Sequence, residues 1–297
     1  MDNHGVRIAY GTDMGLVGPT ALSLSSAIQS TPDLAKVDIL SVSLDSKATD
    51  LLRRIADDRG IAIQFHPLKD DAFGSARHKG RHVPKAALAR LFLPHLMEGR
   101  VLYIDGDTYV RRDLAEVYGI SMDGHLIGGV RDSGSLHALH RISRGKTWSH
   151  LEETAKIVAP SPVHSYINSG VLLMDCGAIR NEGSLAEGML KFERAIGYRT
   201  VDQDFINELF RGRIKHLNPA WNSSWGRASL QRSWAKDHGC SGAELKEEKD
   251  GIYHFHGPLK PWHSLPRDKW KRSIYAVAIY KAALWSFRRR YPEAIFT

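Results

Sequence analysis

The chain has 297 residues, with 41 Lys and Arg against 33 Asp and Glu and a formal net charge of +8. This length can bury a hydrophobic core without cross-links and allows one large α/β domain or two smaller ones. Only two cysteines occur, Cys176 and Cys240. Because they form neither a C-x-x-C motif nor a framework of several pairs, the composition excludes a disulfide-stabilised module and a cysteine-based zinc site. We therefore expect a reducing compartment.

The charge distribution restricts the class of partner. The positive residues form short clusters: Arg53-Arg54, Arg111-Arg112, Lys269 to Arg272 and Arg288-Arg289-Arg290. No zinc finger, RNA-binding aromatic motif or basic zipper accompanies them, so we predict no nucleic-acid partner. A small polyanionic substrate and an anionic membrane surface remain. No basic stretch followed by an apolar one begins the chain, so we expect a cytoplasmic protein without a secretory signal.

The first part of the chain predicts alternating strands and helices. Residues 6–10 alternate apolar and polar side chains, and Pro19 suits the first turn of a helix. The predicted order is strand, helix, strand, helix, strand over residues 6–10, 19–30, 37–44, 47–59 and 61–67. This order is typical of a parallel sheet with helices on both faces. Ligands of such sheets bind beyond the carboxyl ends of the strands.

The rest of the chain continues this pattern less regularly. Predicted helices cover residues 85–96 and 202–210, and predicted strands cover 100–104, 126–130 and 167–174. Residues 217–247 are rich in Trp, Ser and Gly and are predicted to form loops over one face. We find no internal repeat or linker. The sequence therefore predicts one domain over residues 1–266 and a C-terminal helical extension over 267–297.

Two carboxylates, Asp105 and Asp107, directly follow the predicted strand 100–104. Residues two apart in an extended segment point to the same side, so both could bind one cation. Carboxylate ligands favour a hard divalent ion such as Mg²⁺ or Mn²⁺, which can bridge the oxygens of a diphosphate. The alternative is that the acidic residues only mark the end of a strand, since a second Asp-x-Asp occurs at 202–204.

A less common motif follows a short predicted strand at residues 251–253. It combines an imidazole, a Gly-Pro turn, a lysine between prolines and a tryptophan: His254-Phe255-His256-Gly257-Pro258-Leu259-Lys260-Pro261-Trp262. One histidine could complete the metal site, and a nitrogen ligand favours Mn²⁺ over Mg²⁺. The alternative is a proline-rich loop with solvated histidines.

Two other motifs do not reach their consensus. The first glycine of a phosphate-binding P-loop would fall at His140, before Gly145-Lys146-Thr147. The glycines after the first strand do not have the G-x-G-x-x-G spacing of a dinucleotide-binding turn. The sequence therefore favours neither an ATPase nor an NAD-dependent enzyme.

The order of these motifs resembles retaining glycosyltransferase family 8, which includes glycogenin and bacterial lipopolysaccharide galactosyl- and glucosyltransferases. The resemblance covers about Val6 to Trp262. It is carried by four motifs: Asp105-Gly106-Asp107, Asn168-Ser169-Gly170-Val171-Leu172, Asp202-Gln203-Asp204, and the run from His254 to Trp262. The resemblance implies an α/β fold of the GT-A type, with a mixed, mostly parallel central sheet and helices on both faces. It also implies a UDP-sugar donor, a requirement for Mn²⁺ and retention of anomeric configuration.

The resemblance also implies roles for individual residues. Asp105, Asp107 and His254 would bind Mn²⁺, with Mg²⁺ possible, and Lys260 and Gly257 would contact the diphosphate. The remaining donor-binding positions are Tyr10, Gly11, Thr12, Asp13, His82, Arg90, Gly106, Asp132 and Asn168. The candidate catalytic residues are Gln203, Asp202 and Lys260. His256 is unusual for the family at its position.

Retention is compatible with two routes. A carboxylate could form a covalent glycosyl intermediate, for which Asp202 is the candidate, or the acceptor could attack from the face of the leaving phosphate. Because the glutamine amide is a weak nucleophile, we favour the front-face route and assign Gln203 to orientation of the sugar. A trapped glycosyl-enzyme on Asp202 would contradict this assignment.

The C-terminal segment 273–287 is apolar and aromatic and has basic residues on both sides. It is too short and too interrupted to span a bilayer, which needs about 20 apolar residues. Two alternatives remain: an amphipathic helix at an anionic membrane surface, or a terminal helix packed on the domain.

These observations predict a Mn²⁺-dependent retaining hexosyltransferase that moves galactose or glucose from a UDP-sugar to a hydroxyl of a cell-surface glycan or glycolipid precursor. The protein would be cytoplasmic or peripheral at the inner face of the cell membrane. The alternatives are a non-catalytic nucleotide-sugar-binding protein and a metal-dependent phosphoryl or nucleotidyl transferase.

Overall fold

Strands and helices alternate through the first 68 residues, as the sequence predicts. The computed structural model describes residues 5–73 and 85–296. Its first elements are β1 (Val6–Thr12), α1 (Val17–Ser30), β2 (Leu34–Val42), α2 (Ser46–Asp57) and β3 (Ala62–Leu68), followed by a 3₁₀ turn at Asp70–Phe73. The capping of α2 is typical: the carboxylate of Asp45 accepts a hydrogen bond from the backbone N–H of Ala48 at 2.7 Å.

The predicted helix 85–96 is interrupted in its middle. It consists of α3 (Lys85–Ala89), a 3₁₀ turn (Arg90–Phe92) and α4 (Leu93–Leu96). Pro94 has no N–H, and its ring would clash with the carbonyl of Arg90 four residues earlier in a continuous α-helix. The tighter turn avoids this clash and carries the Arg90 side chain.

The middle of the chain supplies the rest of the main sheet, the first strand of a smaller sheet and several short helices. The strands are β4 (Arg100–Ile104), β5 (Thr108–Val110), β6 (Ile127–Arg131), β7 (Ile167–Asp175) and β8 (Ile214–His216). The helices are α5 (Ala115–Tyr118), α6 (Ser133–Ile142), α7 (Leu151–Val158), α8 (Cys176–Asn181), α9 (Gly183–Met189), α10 (Phe192–Ile196) and α11 (Asp202–Leu209), with a 3₁₀ turn at Val163–Ser165.

The prediction of loops over residues 217–247 is wrong in part, because this segment contains α12 (Ala228–Asp237). The buried residues of α12 are Ala228, Gln231, Arg232 and Ala235. Two of these four side chains are polar, so the apolar periodicity that identifies a helix is hidden. The other elements of this part are two 3₁₀ turns, β9, β10 and the terminal helices: Pro219–Asn222, Ala243–Leu245, β9 (Ser223–Ser224), β10 (Ile252–His254), α13 (Arg267–Arg272) and α14 (Ile274–Arg290).

The main sheet has seven strands in the order β3-β2-β1-β4-β7-β6-β8. All neighbouring pairs are parallel except the two that involve β7, which runs antiparallel to β4 and to β6. The mixed, mostly parallel sheet predicted from the sequence is confirmed. A smaller sheet has the order β5-β10-β9 and follows directly on β4.

Hydrophobic clusters cover both faces of the main sheet. Ile8 and Tyr10 of β1 belong to one cluster, which also takes residues from α1, α2 and α14, whereas Ala9 belongs to the other. The second cluster takes residues from α3, α4 and α8 to α11. Since side chains alternate along a strand, the helices lie on both faces, as predicted.

Helix α14 packs on the first cluster, to which it contributes Ala276, Val277, Tyr280, Leu284 and Phe287. Three large apolar side chains of the same helix are more than half exposed: Ile274, Tyr275 and Trp285. In the described part of the chain no helix is both long and apolar enough to cross a membrane. Contact of α14 with an anionic membrane surface stays a prediction, as does the division of the chain at residue 266.

Candidate active site

Asp105, Asp107 and His254 lie together where the two sheets meet. The His254 Nε2 atom is 3.2 Å from an Asp107 oxygen and 3.8 Å from an Asp105 oxygen. One ligand atom from each residue lies within 4.8 Å of the other two. The prediction that the two aspartates share an extended segment is wrong, because both lie between β4 and β5, where the chain turns. Their approach depends on β10, which pairs with β5 and carries His254.

The orientation of the His254 ring is set by Asn222. The Asn222 side-chain oxygen lies 2.8 Å from His254 Nδ1 and accepts a hydrogen bond from this nitrogen. This hydrogen bond leaves Nε2 directed at the two carboxylates. A partner on the distal ring nitrogen that fixes the ring in this way is typical of metal-binding histidines.

Asn222 also begins a chain of hydrogen bonds that ends at Gln203. The Asn222 amide donates to the Asn168 oxygen at 2.9 Å, and the Asn168 amide donates to the Gln203 oxygen at 2.8 Å. The Gln203 amide in turn donates to the hydroxyl of Tyr166 at 3.2 Å. Because each amide uses both its donor and its acceptor, the position of Gln203 is coupled to that of His254.

Arg90 holds the carboxylates from the opposite side. Its side chain is 5% exposed, and it lies 2.8 Å from an Asp105 oxygen and 3.2 Å from an Asp202 oxygen. Nη1 donates to the carbonyl of Ser169, and Nε, the atom next to Asp202, donates to the carbonyl of Ala87. The guanidinium therefore links β4, β7 and the first turn of α11.

Burial and neighbouring charges shift the acidity of the cluster in opposite directions. Burial raises the pKa of Asp105, and the nearby Arg90 cation opposes this effect only in part. Burial also acts to raise the pKa of Asp107, but the interactions of this carboxylate with His254 and Lys260 outweigh burial and lower the pKa. The pKa of Asp202 is raised, mainly by burial. The site thus holds three carboxylates that are at least partly buried, and a bound cation would stabilise their negative charges.

The segment after His254 forms the edge of the site. Lys260 Nζ donates to an Asp107 oxygen at 2.5 Å. Gly257 has a φ of +90°, a conformation that favours glycine. His256 contacts the hydroxyl of Ser224 at 2.7 Å, and burial lowers its pKa to about 3, so the ring is neutral.

A cavity of about 540 Å³ opens beside the cluster. The predicted site residues that line it are Arg90, Asp105, Asp107, Asp132, Asn168, Asp202, Gln203, His254 and Gly257. Asp132 caps α6 by accepting from the Ser135 N–H at 2.7 Å. The structure thus brings together residues from four separate motifs of the sequence.

Other predicted donor-binding positions lie at the end of β1 and are not among the residues that line this cavity. The Tyr10 side chain is fully buried, and its hydroxyl lies 3.1 Å from that of Ser23. Asp13 accepts hydrogen bonds from two backbone N–H groups at the start of α1. Gly11, Thr12 and Gly106 lie close to α3 or α1. His82 lies outside the described residues.

Sequence reasoning missed several residues of the site, among them Asn222, Trp148, Arg199, Tyr166 and Ser169. All except Asn222 line the cavity. Ser169 stands inside the Asn-Ser-Gly motif, which could have identified it. The segments around Trp148, Arg199 and Asn222 carry no motif that would separate them from other loops.

Comparison with known proteins shows similarity to glycosyltransferases. The model of the family "Glycosyl transferase family 8" matches residues 7–265. A putative glycosyltransferase of Haemophilus influenzae is 23% identical over 264 residues, covering 87% of this chain and 73% of the relative. Lipopolysaccharide 1,2-glucosyltransferase of Escherichia coli K12 is 24% identical over 296 residues, covering 94% of this chain and 77% of the relative.

Among solved structures, the galactosyltransferase LgtC in complex with donor and acceptor sugar analogues superimposes with a TM-score of 0.75 at 19% identity. The match covers 95% of this chain and 96% of LgtC. The fold is therefore that of the GT-A type glycosyltransferases. Because the family model matches most of the chain, this protein belongs to glycosyltransferase family 8.

The close packing of the cluster generates a prediction at Gly170. An added Cβ there would lie 2.2 Å from His254 Cε1 and 2.7 Å from an Asp105 oxygen. We expect Gly170→Ala to displace these side chains and lower the free energy of unfolding by about 1–3 kcal/mol, as overpacking does. Chemical denaturation measures the change.

Gly183→Ala is the matched control, since an added Cβ at Gly183 contacts nothing within 4 Å. If both variants unfolded at the same denaturant concentration as the wild type, the close packing at Gly170 would be contradicted.

Proposed function

We propose that this family 8 glycosyltransferase is a retaining hexosyltransferase that uses a divalent cation, Mn²⁺ in preference to Mg²⁺. Its donor is a UDP-sugar carrying galactose or glucose, and its acceptor is a hydroxyl of a cell-surface glycan or glycolipid precursor. The observation that carries the proposal is the hydrogen-bonded connection between His254 of the Asp-Asp-His cluster and Gln203 in one cavity.

The donor set of the cluster fits a hard divalent cation with some affinity for nitrogen. Asp105 and Asp107 offer carboxylate oxygens, and His254 offers Nε2 because Asn222 occupies the other ring nitrogen. One imidazole beside two carboxylates favours Mn²⁺ over Mg²⁺. Bound there, the cation would neutralise charge on the donor diphosphate and so make UDP a better leaving group.

Lys260 is the second positive group directed at the leaving group. Its ammonium contacts Asp107, which we propose as a metal ligand, and therefore lies within reach of the diphosphate. An ammonium at this position would stabilise the charge that develops on the β-phosphate as the glycosidic bond breaks. Gly257, whose backbone has open space on its Cβ side, would let the diphosphate approach the main chain.

The contacts of Asp202 and Gln203 support front-face retention. Asp202 accepts from the Ser169 hydroxyl at 2.9 Å and lies 3.2 Å from Arg90, both at the same carboxylate oxygen. These contacts stabilise the negative charge of the carboxylate and so weaken it as a nucleophile. Gln203 is fixed by Asn168 and Tyr166 and would orient the sugar. In this route the acceptor oxygen bonds to the anomeric carbon on the face that UDP leaves, and its proton passes to the departing phosphate oxygen.

Arg90 is better described as a positioning residue than as a direct ligand of the diphosphate. Its N–H groups are engaged with Asp105, Asp202 and two backbone carbonyls. We propose that it holds the metal-binding and sugar-binding carboxylates at a fixed separation.

The first test removes single ligands of the proposed metal site. We expect Asp107→Asn and His254→Ala to lower turnover with a UDP-hexose by at least about 100-fold, because each removes one of three ligands. Release of UDP, measured with and without an acceptor, gives the rate.

Asp237→Asn and His150→Ala are the matched controls, since both side chains are partly exposed and lie outside the cavity. Wild-type turnover in the Asp107 and His254 variants would rule out this metal site. Tight UDP-sugar binding with no product from the wild type would instead favour a non-catalytic binding protein.

The outer part of the cavity is proposed to bind the acceptor. Trp148 and Arg199 line it together with Gln203, and neither was expected from the sequence. Arg199 pairs with Glu153 at 3.4 Å, and both side chains are about a third or more exposed. An indole offers an apolar face to a sugar ring, and a guanidinium offers several donors to its hydroxyls.

Trp148→Ala tests this assignment. We expect the KM for the acceptor to rise about tenfold, as loss of one aromatic contact predicts, while hydrolysis of the UDP-sugar in the absence of acceptor stays unchanged. Trp285→Ala, on the exposed side of α14, is the control. A fall in donor hydrolysis with an unchanged acceptor KM would assign Trp148 to the donor instead.

A further inference from the structure

Three basic residues, Arg227, Lys269 and Arg272, form a cluster beside the cavity, which we call the outer basic cluster. Arg227 precedes α12, and the other two belong to α13. The Lys269 ammonium lies 3.7 Å from the centre of the Trp225 ring, and Arg227 Nε donates to the Ser224 carbonyl at 3.4 Å. The cluster is therefore fixed to the residues that follow β9.

The charges of the outer basic cluster are not compensated by salt bridges. Across residues 5–73 and 85–296, none of the three cations lies within 4.0 Å of a carboxylate oxygen. Burial, followed by Arg227 and Arg272, lowers the pKa of Lys269 to about 8. Burial and Arg272 also lower the pKa of Arg227. The three groups repel one another in the folded protein, which is unfavourable unless an anion joins them.

Two other basic clusters of the chain share this property only in part. Arg112 pairs with Glu116 and Glu248, and Arg290 pairs with Asp58. Their neighbours Arg111, Arg288 and Arg289 lie over aromatic rings and have no carboxylate partner among the described residues. At the outer basic cluster none of the three cations has a carboxylate partner, so the whole cluster is open to an anionic ligand.

Trp225, on which Lys269 packs, connects the outer basic cluster to the wall of the cavity. The Trp225 indole N–H donates to the carbonyl of His256 at 3.1 Å, and the Ser224 hydroxyl contacts the His256 ring. His256 and Gly257 line the cavity. A ligand that occupies the cavity and extends past His256 would therefore meet Lys269.

We propose that Arg227, Lys269 and Arg272 bind a phosphate group carried by the acceptor. Two guanidinium groups and an ammonium match the charge and the acceptor oxygens of a phosphate, and arginine in particular binds such groups through paired N–H donors. The donor diphosphate is assigned to Lys260 and the metal cluster, so the outer basic cluster is free for a second anion. This inference rests on the proposed transferase function, because it names the class of acceptor: a phosphorylated glycan.

The test compares a double variant, Lys269→Gln with Arg272→Gln, with a neighbouring control, Lys271→Gln. Lys271 stands on the same helix and is exposed. The probes are glucose 6-phosphate and glucose, titrated by calorimetry in the presence of UDP and Mn²⁺ so that the donor site is filled. We expect the wild type to bind glucose 6-phosphate at least about tenfold more tightly than glucose, since charge-assisted hydrogen bonds each contribute that much.

The double variant should lose this preference, whereas Lys271→Gln should keep it within about twofold. Equal binding of glucose 6-phosphate by the wild type and the double variant would overturn the proposal. Because the two substitutions remove repulsion between neighbouring cations, we expect the double variant to melt at or above the melting temperature of the wild type. This result would show that the loss of binding is not caused by unfolding.

A second arm separates the sources of phosphate. Sedimentation with phosphatidylcholine vesicles that contain phosphatidylglycerol measures binding to lipid headgroups. If the double variant lost vesicle binding alone and kept its affinity for glucose 6-phosphate, the cluster would belong to a membrane surface and the acceptor assignment would be overturned. UDP-sugar hydrolysis in all variants reports separately on the proposed transferase function, since none of the substituted residues lines the cavity.

Discussion

The site depends on one buried guanidinium. Arg90 links the end of β4, the carbonyl of Ser169 in β7 and the first turn of α11. A charge this buried is stable only when it is paired and hydrogen-bonded on all sides, and here carboxylates and carbonyls meet that requirement. The same pairing allows Asp105 and Asp202 to lie in one cavity without uncompensated repulsion. Pro94 interrupts the helix at Arg90, the residue that makes these contacts.

On the His254 side of the cluster, the side chains are held by hydrogen bonds of amide groups rather than by ion pairs. The chain of hydrogen bonds from His254 through Asn222 and Asn168 to Gln203 connects the proposed metal site to the residue proposed to orient the sugar. A shift of one member would leave a partly buried donor or acceptor without a partner, which is costly. Gly170 makes this arrangement possible because a larger residue would occupy the space of the imidazole.

The sequence is informative where function requires several residues in one short motif. Asp105, Asp107 and His254 were predictable for this reason, and the alternating elements predicted the sheet. Asn222, Trp148 and Arg199 were not, because each reaches the site from an irregular segment through tertiary packing alone. Helix α12 was missed because Gln231 and Arg232 occupy its buried face. Tyr10 alternates with Ile8 and lies with it in the same hydrophobic cluster, and its assignment to donor binding stays a prediction.

The proposed function requires that the Asp-Asp-His cluster hold a divalent cation that contacts a nucleoside diphosphate. Calorimetric titration of the wild-type protein with UDP, in the presence and absence of Mn²⁺, tests this requirement most directly. We expect Mn²⁺ to lower the Kd for UDP by at least about tenfold, the effect of roughly one charge-assisted contact. An identical Kd under both conditions would contradict the proposed metal site.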